Sequence, residues 1–167
     1  MADAYVAAGS NVRPRANLTL ALAMLRQEFP GLRVSPAYRN RAADFEGEDF
    51  VNLVAAFPCT LPLPALLARL KEIEHALGRE PGAAKWGPRT LDLDLILYGD
   101  LTGDFGGKRL PHQDLVTRAW VLGPLAALAP ELRHPVTGER IGELWHRFDR
   151  GLHPLAETSL SEPESCS

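Results

Sequence analysis

The chain has 167 residues, 46% apolar and 23% charged, with a net charge of −3. That length fits one domain with a sizeable core, and the composition is ordinary for a globular protein. No apolar run approaches the roughly 20 residues that cross a bilayer, no basic stretch leads into an apolar segment near the start, and an acidic balance disfavours a general nucleic-acid partner, which needs cations against phosphate. The expected compartment is the cytoplasm, with neither membrane nor nucleic acid as partner. Cys59 and Cys166 form no metal-type pair, so neither a disulfide framework nor a zinc site is implied.

Tyr5 to Ala8 reads as a short buried strand ended by the turn residues Gly9, Ser10 and Asn11. Leu18, Ala21, Leu22, Leu25 and Phe29 recur at helical spacing, and Pro30-Gly31 stops that helix. Leu32 to Tyr38 is expected as a strand, with Pro36 marking an edge or bulge. Arg39 to Asp49 reads as a polar loop, and Phe50 to Phe57 as a strand cut by Pro58. Pro64 suits a first helical turn, Leu66, Leu70, Ile73 and Leu77 make one face, and Gly78 suits the stop. Glu80 to Pro88 is a loop. Leu91 to Tyr98 alternates at first and then becomes wholly apolar. Asp100 to Gly107 reads as a loop, Arg118 to Leu128 as a short apolar helix, and Leu132 to Ile141 as a hairpin around Thr137-Gly138.

The order strand, helix, strand, strand, helix, strand is the β-α-β-β-α-β ferredoxin-like order. The expected fold class is therefore α+β: a mostly antiparallel sheet, helices on one face, and C-terminal additions. Two helices cannot cover both faces, which leaves the other for loops and a ligand. A single domain is expected over residues 1–151, followed by a poorly ordered tail over 152–167.

The chemistry concentrates in Trp86-Gly87-Pro88-Arg89-Thr90-Leu91-Asp92-Leu93-Asp94. Strand side chains alternate faces, so Asp92 and Asp94 point the same way and Leu91, Leu93 and Leu95 enter the core. Two carboxylates this close repel unless a cation sits between them. Magnesium fits, because it takes one or two carboxylates plus substrate phosphates. A merely solvated strand face is the alternative for this spacing taken alone. Arg79, Lys85 and Arg89 flank the pair in sequence. Arginine forks suit phosphate oxygens, and the alternative for each cation is a weak surface ion pair.

Trp86 to Asp94 resembles the signature of hydroxymethyl-dihydropterin pyrophosphokinases. So do Tyr5 to Asn11, Phe50-Val51-Asn52, Gly78-Arg79, Leu110-Pro111-His112, and Arg118-Ala119-Trp120. The resemblance implies an ATP-dependent pyrophosphokinase of folate synthesis, with ATP and hydroxymethyl-dihydropterin as partners. It implies that Asp92 and Asp94 ligate two magnesium ions and that Arg79 and Arg89 contact phosphate. Lys85, Trp86, Arg109, His112 and Arg118 fall on the ATP side, Glu74 at a helix end near the nucleotide, and Leu95 beside adenine. Phe50 and Trp120 match a sandwich around the pterin ring, an arrangement that suits a flat heteroaromatic. Asn52 shares the strand face of Phe50 and offers both a donor and an acceptor to the ring edge. Asn40 is assigned to the same acceptor site. The chain is expected to be a monomer, with a weak homodimer as the alternative.

Three departures from the family pattern stand out. Asn40-Arg41-Ala42-Ala43-Asp44 replaces a Thr-Pro-Pro-x-Gly type stretch, Glu80 to Ala84 is poorer in basic residues, and Gln113 stands where a ring is common. Asp104-Phe105-Gly106 has no kinase catalytic loop to accompany it, and Gly107-Lys108 lacks the rest of a P-loop. Rival readings are a relative that binds ATP and magnesium without turnover, a non-catalytic ferredoxin-like module, and a pterin aldolase. An aldolase would not need the paired-Asp strand.

Overall fold

The computed structural model describes residues 1–40, 49–78, 91–149, 151 and 155–161. Arg79, Lys85, Trp86 and Arg89 lie outside them, as do the expected loop at Glu80 to Pro88 and the departure beyond Asn40. The first strand, β1 (Ala2–Ser10), leads into helix α1 (Pro14–Glu28). Two short strands follow, β2 (Arg33–Val34) and β3 (Ala37–Asn40), then the long β4 (Phe50–Cys59). Helix α2 (Leu63–Ala76) returns the chain to β5 (Asp92–Tyr98).

The sheet order is β5-β1-β4-β3, with β2 also on β4, and these pairings are antiparallel. This is the ferredoxin-like arrangement expected from the element order. Ser35 and Pro36 divide the expected second strand. Proline offers no donor to a ladder, and the Ser35 hydroxyl steps in by accepting from the Val54 N–H at 2.9 Å. At Pro58 the strand continues instead of stopping. β2 ends opposite Ala55 and Ala56, so only β1 borders β4 there, and the missing N–H faces no partner strand.

One sheet face buries Ala4, Val6 and Ala8 of β1 and Leu53, Ala55 and Phe57 of β4 against α1 and α2. Leu18, Leu22 and Leu25 from α1 and Leu66, Leu70 and Ile73 from α2 complete that core. Gly78 ends α2 at φ 99, where a side chain would be strained, and its N–H bonds the His75 carbonyl.

Among the described residues, the second face is covered along only part of its length. After β5 come β6 (Gly103–Phe105) and β7 (Lys108–Leu110), then α3 (Asp114–Thr117), α4 (Ala119–Leu128) and α5 (Ile141–Arg147). Val121, Leu122 and Leu125 of α4 pack on Tyr5, Val54, Ala56, Ile96 and Leu97. The expectation that this face is left for loops and a ligand is corrected here, since a helix covers this part of it. The expected loop at Asp100 to Gly107 is in fact half of a β6–β7 hairpin. Gly106 and Gly107 take φ 65 and 92, and Asp104 accepts from the Gly107 N–H at 2.8 Å. Two successive residues at positive φ suit a tight hairpin turn. The kinase-like tripeptide is this hairpin's tip.

The expected tail needs a correction too. Ala156–Thr158 forms β8, paired with Ala37 to Arg39 of β3. The buried Arg15 anchors it by donating to the Ser159 carbonyl at 3.1 Å and the Thr158 hydroxyl at 2.9 Å. Leu160 packs against the first-face core. Polar composition reads as a tail, but an open strand edge and a buried guanidinium give this segment its partners.

Candidate active site

Among the described residues, Asp92, Asp94, Asn52 and Phe50 share the end of the second face that α4 does not cover. Gly9 of β1 pairs with Asp92 of β5 on one side and Asn52 of β4 on the other. Ala7 likewise pairs with Asp94 and with Val54. Cross-strand partners share a face, so Asp92, Asp94 and Asn52 stand together. Phe50 follows on the same face of β4, half-buried, opposite Asn40.

Asp92 is half-buried and Asp94 exposed, so neither carboxylate carries the desolvation cost of full burial. Leu93 between them is core. Its backbone N–H, at the outer edge of the sheet, donates to Glu74 Oε2 at 3.1 Å. Glu74 is 7% exposed. It therefore ties the end of α2 to the carboxylate strand.

β5 then bulges. Val6 pairs with Leu95 and Tyr5 with Leu97, so Ile96 is the extra residue. The Ile96 carbonyl accepts from the His112 N–H at 2.9 Å, which pins the chain after β7 against β5. His112 Nδ1 accepts from the Asp114 N–H at 3.0 Å, leaving Nε2 to carry the imidazole proton. Arg118 reaches Asp114 at 3.9 Å and lies over the Trp120 ring, 5.3 Å from its centroid. Trp120 is half-buried in the first turn of α4, which crosses β4 and β3.

Leu95 and Arg109, both expected on the ATP side, lie in different settings, Leu95 in the core as its strand position requires and Arg109 at the surface. Leu95 is 1% exposed in the first-face core, on the side of β5 away from Asp92 and Asp94. Alternation along the strand requires this, and only its main chain can meet a ligand. Arg109 is exposed, while its neighbour Lys108 is turned inward and half-buried. Burial pushes the Lys108 ammonium below the usual lysine range, and the carboxylates of Asp94, Asp114 and Glu74 oppose that shift. Among the described residues no acid comes within ion-pair distance of it. Gly107-Lys108 makes no P-loop, so that motif does not single out Lys108. Its signal was alternation before the buried Leu110.

No group of three or more metal-ligating side chains occurs among the described residues. The pair Asp92 and Asp94 fits magnesium only as a partial set, to be completed by phosphate and water oxygens.

Fold and site together define a ferredoxin-like α+β protein with a carboxylate-bearing, partly open sheet face. The model of the 7,8-dihydro-6-hydroxymethylpterin-pyrophosphokinase family matches residues 5–130. The chain belongs to that family. It is 41% identical over 145 residues to the 2-amino-4-hydroxy-6-hydroxymethyldihydropteridine pyrophosphokinase of Pseudomonas aeruginosa, covering 84% of this chain and 88% of that one. The Synechocystis enzyme of the same name is 39% identical over 150 residues, covering 87% and 76%. Among solved structures, a Plasmodium falciparum HPPK-DHPS triple mutant superposes with a TM-score of 0.68 at 14% identity. That match covers 87% of this chain and 41% of the Plasmodium chain, so this chain spans about two fifths of it and shares the fold.

Proposed function

We propose that this chain transfers the pyrophosphoryl group of ATP to 6-hydroxymethyl-7,8-dihydropterin, giving AMP and the pterin diphosphate, at the open end of the second sheet face. Family membership and the Pseudomonas and Synechocystis relatives support the reaction. The observation that carries the site is Asp92 and Asp94 standing beside Asn52 and Phe50 on one uncovered face.

The acceptor hydroxyl forms a bond to the β-phosphorus, the bond between that phosphorus and the oxygen bridging to the α-phosphate breaks, and AMP leaves. Asp92 and Asp94 would hold two magnesium ions together with the phosphates. Bound magnesium neutralises phosphate charge and acidifies the attacking hydroxyl. Glu74 keeps the carboxylate strand in place through the Leu93 N–H. Lys108, His112 Nε2 and Arg118 supply donors on the ATP side, with Arg79, Arg89, Lys85 and Trp86 completing it. Phe50 and Trp120 take the pterin ring between them, and Asn52 reads its edge. Alignment and charge neutralisation carry the barrier, so no strong general base is required. All these residues come from one chain, which makes the monomer a sufficient unit.

The test is AMP release from ATP and magnesium with and without hydroxymethyl-dihydropterin. AMP should appear only with the acceptor. Acceptor-independent release, or none, would overturn the reading.

A further inference from the structure

We propose that Asn40 is a specificity-determining residue. By accepting a hydrogen bond from Asn52 it holds that amide in the orientation that reads a 2-amino-4-oxo pyrimidine edge and rejects a 2,4-diamino one. The inference rests on the acceptor pocket described above.

Asn40 and Asn52 sit on neighbouring strands, one step apart diagonally, since Tyr38 pairs with Asn52 and Asn40 with Phe50. They are 9% and 8% exposed. Asn52 Nδ2 donates to Asn40 Oδ1. On its other side the Asn52 carbonyl oxygen lies over Gly9, 2.6 Å from where a β-carbon would stand. Glycine at that position is what lets the Asn52 side chain lie across β1.

An unrestrained asparagine does not discriminate between complementary edges. A half-turn of its amide exchanges oxygen and nitrogen, so it presents acceptor-donor or donor-acceptor as the ligand requires. Here the half-turn is opposed twice. It would set Asn52 Oδ1 against Asn40 Oδ1, two acceptors with no proton between them, in a buried place where an unmade hydrogen bond is costly. It would also press the amide hydrogens toward the Gly9 α-hydrogens.

With Asn40 presenting its Oδ1, as it does here, the order at Asn52 is fixed. Asn52 Oδ1 accepts from a ring N3–H, and the second Nδ2 hydrogen goes to a 4-oxo oxygen. A 2,4-diamino ring reverses both groups, with N3 an acceptor and the 4-amino group a donor. Asn40 acts through Asn52, and its own side chain need not touch the ring.

The experiment titrates the full chain, with magnesium and a non-hydrolysable ATP analogue present, by ligand fluorescence. The probes are 6-hydroxymethylpterin and 2,4-diamino-6-hydroxymethylpteridine. The unmodified protein should prefer the oxo ligand by at least roughly 10-fold, because a site built to pair with one group penalises its replacement. Asn40→Ala should bring the two dissociation constants to within about 3-fold, since Asn52 then turns freely. Asn40→Asp, which can only accept, should keep the preference. The ratio of constants is the readout, because a merely loosened pocket loses both ligands alike. An unchanged ratio in Asn40→Ala overturns the inference. If Asn40→Asp does not fold, as thermal unfolding would show, the ratio in Asn40→Ala decides alone. If the unmodified protein binds neither probe with or without nucleotide, the acceptor pocket itself has been misassigned and this inference falls with it.

Discussion

Along the second sheet face, β5 begins with carboxylates and ends under a lid of leucine and valine. Asp92 and Asp94 meet solvent beside Gly9 and Asn52. A few residues on, Ile96 and Leu97 are closed beneath Val121, Leu122 and Leu125 of α4. Both ends use the same strands and the same pairing. What separates them is where α4 starts, at Ala119, just past Arg118. The covered end holds the sheet together, which frees the open end to keep repelling charges that would destabilise a buried face. The buried packing and the proposed chemistry are thus divided by position along one strand.

The largest test of that division removes the open-end charges. Asp94→Ala and Asp92→Ala should each lower turnover on the order of 10³-fold or more, since metal-assisted charge stabilisation is lost. Asp94→Ala, at an exposed position, should leave the melting temperature nearly unchanged. Near-normal AMP release at saturating magnesium would remove the carboxylates from the mechanism.

At the covered end the opposite pattern is expected. Leu125→Ala empties a fully buried site and should cost about 2–5 kcal/mol in denaturant unfolding. The fraction that remains folded should keep its KM for ATP. A large KM change there would mean that the two ends are mechanically coupled.

A smaller effect sharpens which cation belongs to the open end. Lys108→Met should raise the KM for ATP roughly 10-fold, the equivalent of one charge-assisted hydrogen bond, at little cost in stability. Arg109→Met, one residue on and exposed, should change it by less than about 2-fold. If the two variants exchange behaviour, the hairpin orientation is wrong.

The smallest test concerns the last residue of β5. Tyr98 points to the first face, where its hydroxyl donates to the Leu61 carbonyl. Burial first, then contact with Cys59, holds its phenol up to about 12. The unfolded chain ionises near the ordinary value of about 10, so the folded state keeps the proton longer. The stability Tyr98 contributes is therefore complete below about pH 10 and lost as pH rises through about 12. Tyr98→Phe should cost about 1 kcal/mol at neutral pH, and the gap to the unmodified protein should shrink over that alkaline window. A gap that stays constant to pH 12 would show that the phenol is not held neutral by the fold.

Much of this organisation was legible in residue order. Period-two alternation put Asp92 and Asp94 on one face, and Asn52 beside Phe50. Helical spacing and the Pro64 and Gly78 signals located α2, whose final turn carries Glu74. The element order yielded the ferredoxin-like sheet. The failures have physical causes. Gly106-Gly107 reads as loop because glycine marks both loops and two-residue hairpins, and only the backbone angles separate them. The polar stretch after residue 151 reads as a tail because strand pairing at an edge needs no apolar signature.

Residue order settles what is local: which side chains share a face, where helices start and stop, and which residue types can meet phosphate or a flat ring. These follow from a few consecutive dihedrals and the fixed periods of strand and helix. What only the tertiary structure decided is everything that depends on register between distant segments. The bulge at Ile96 frees a carbonyl for His112, the hairpin turns Lys108 inward and Arg109 out, β8 closes on β3, and Asn40 meets Asn52 above Gly9. A shift of one residue in any of these pairings would reverse the faces of the side chains involved, and the residue order within one segment carries no record of its partner's register.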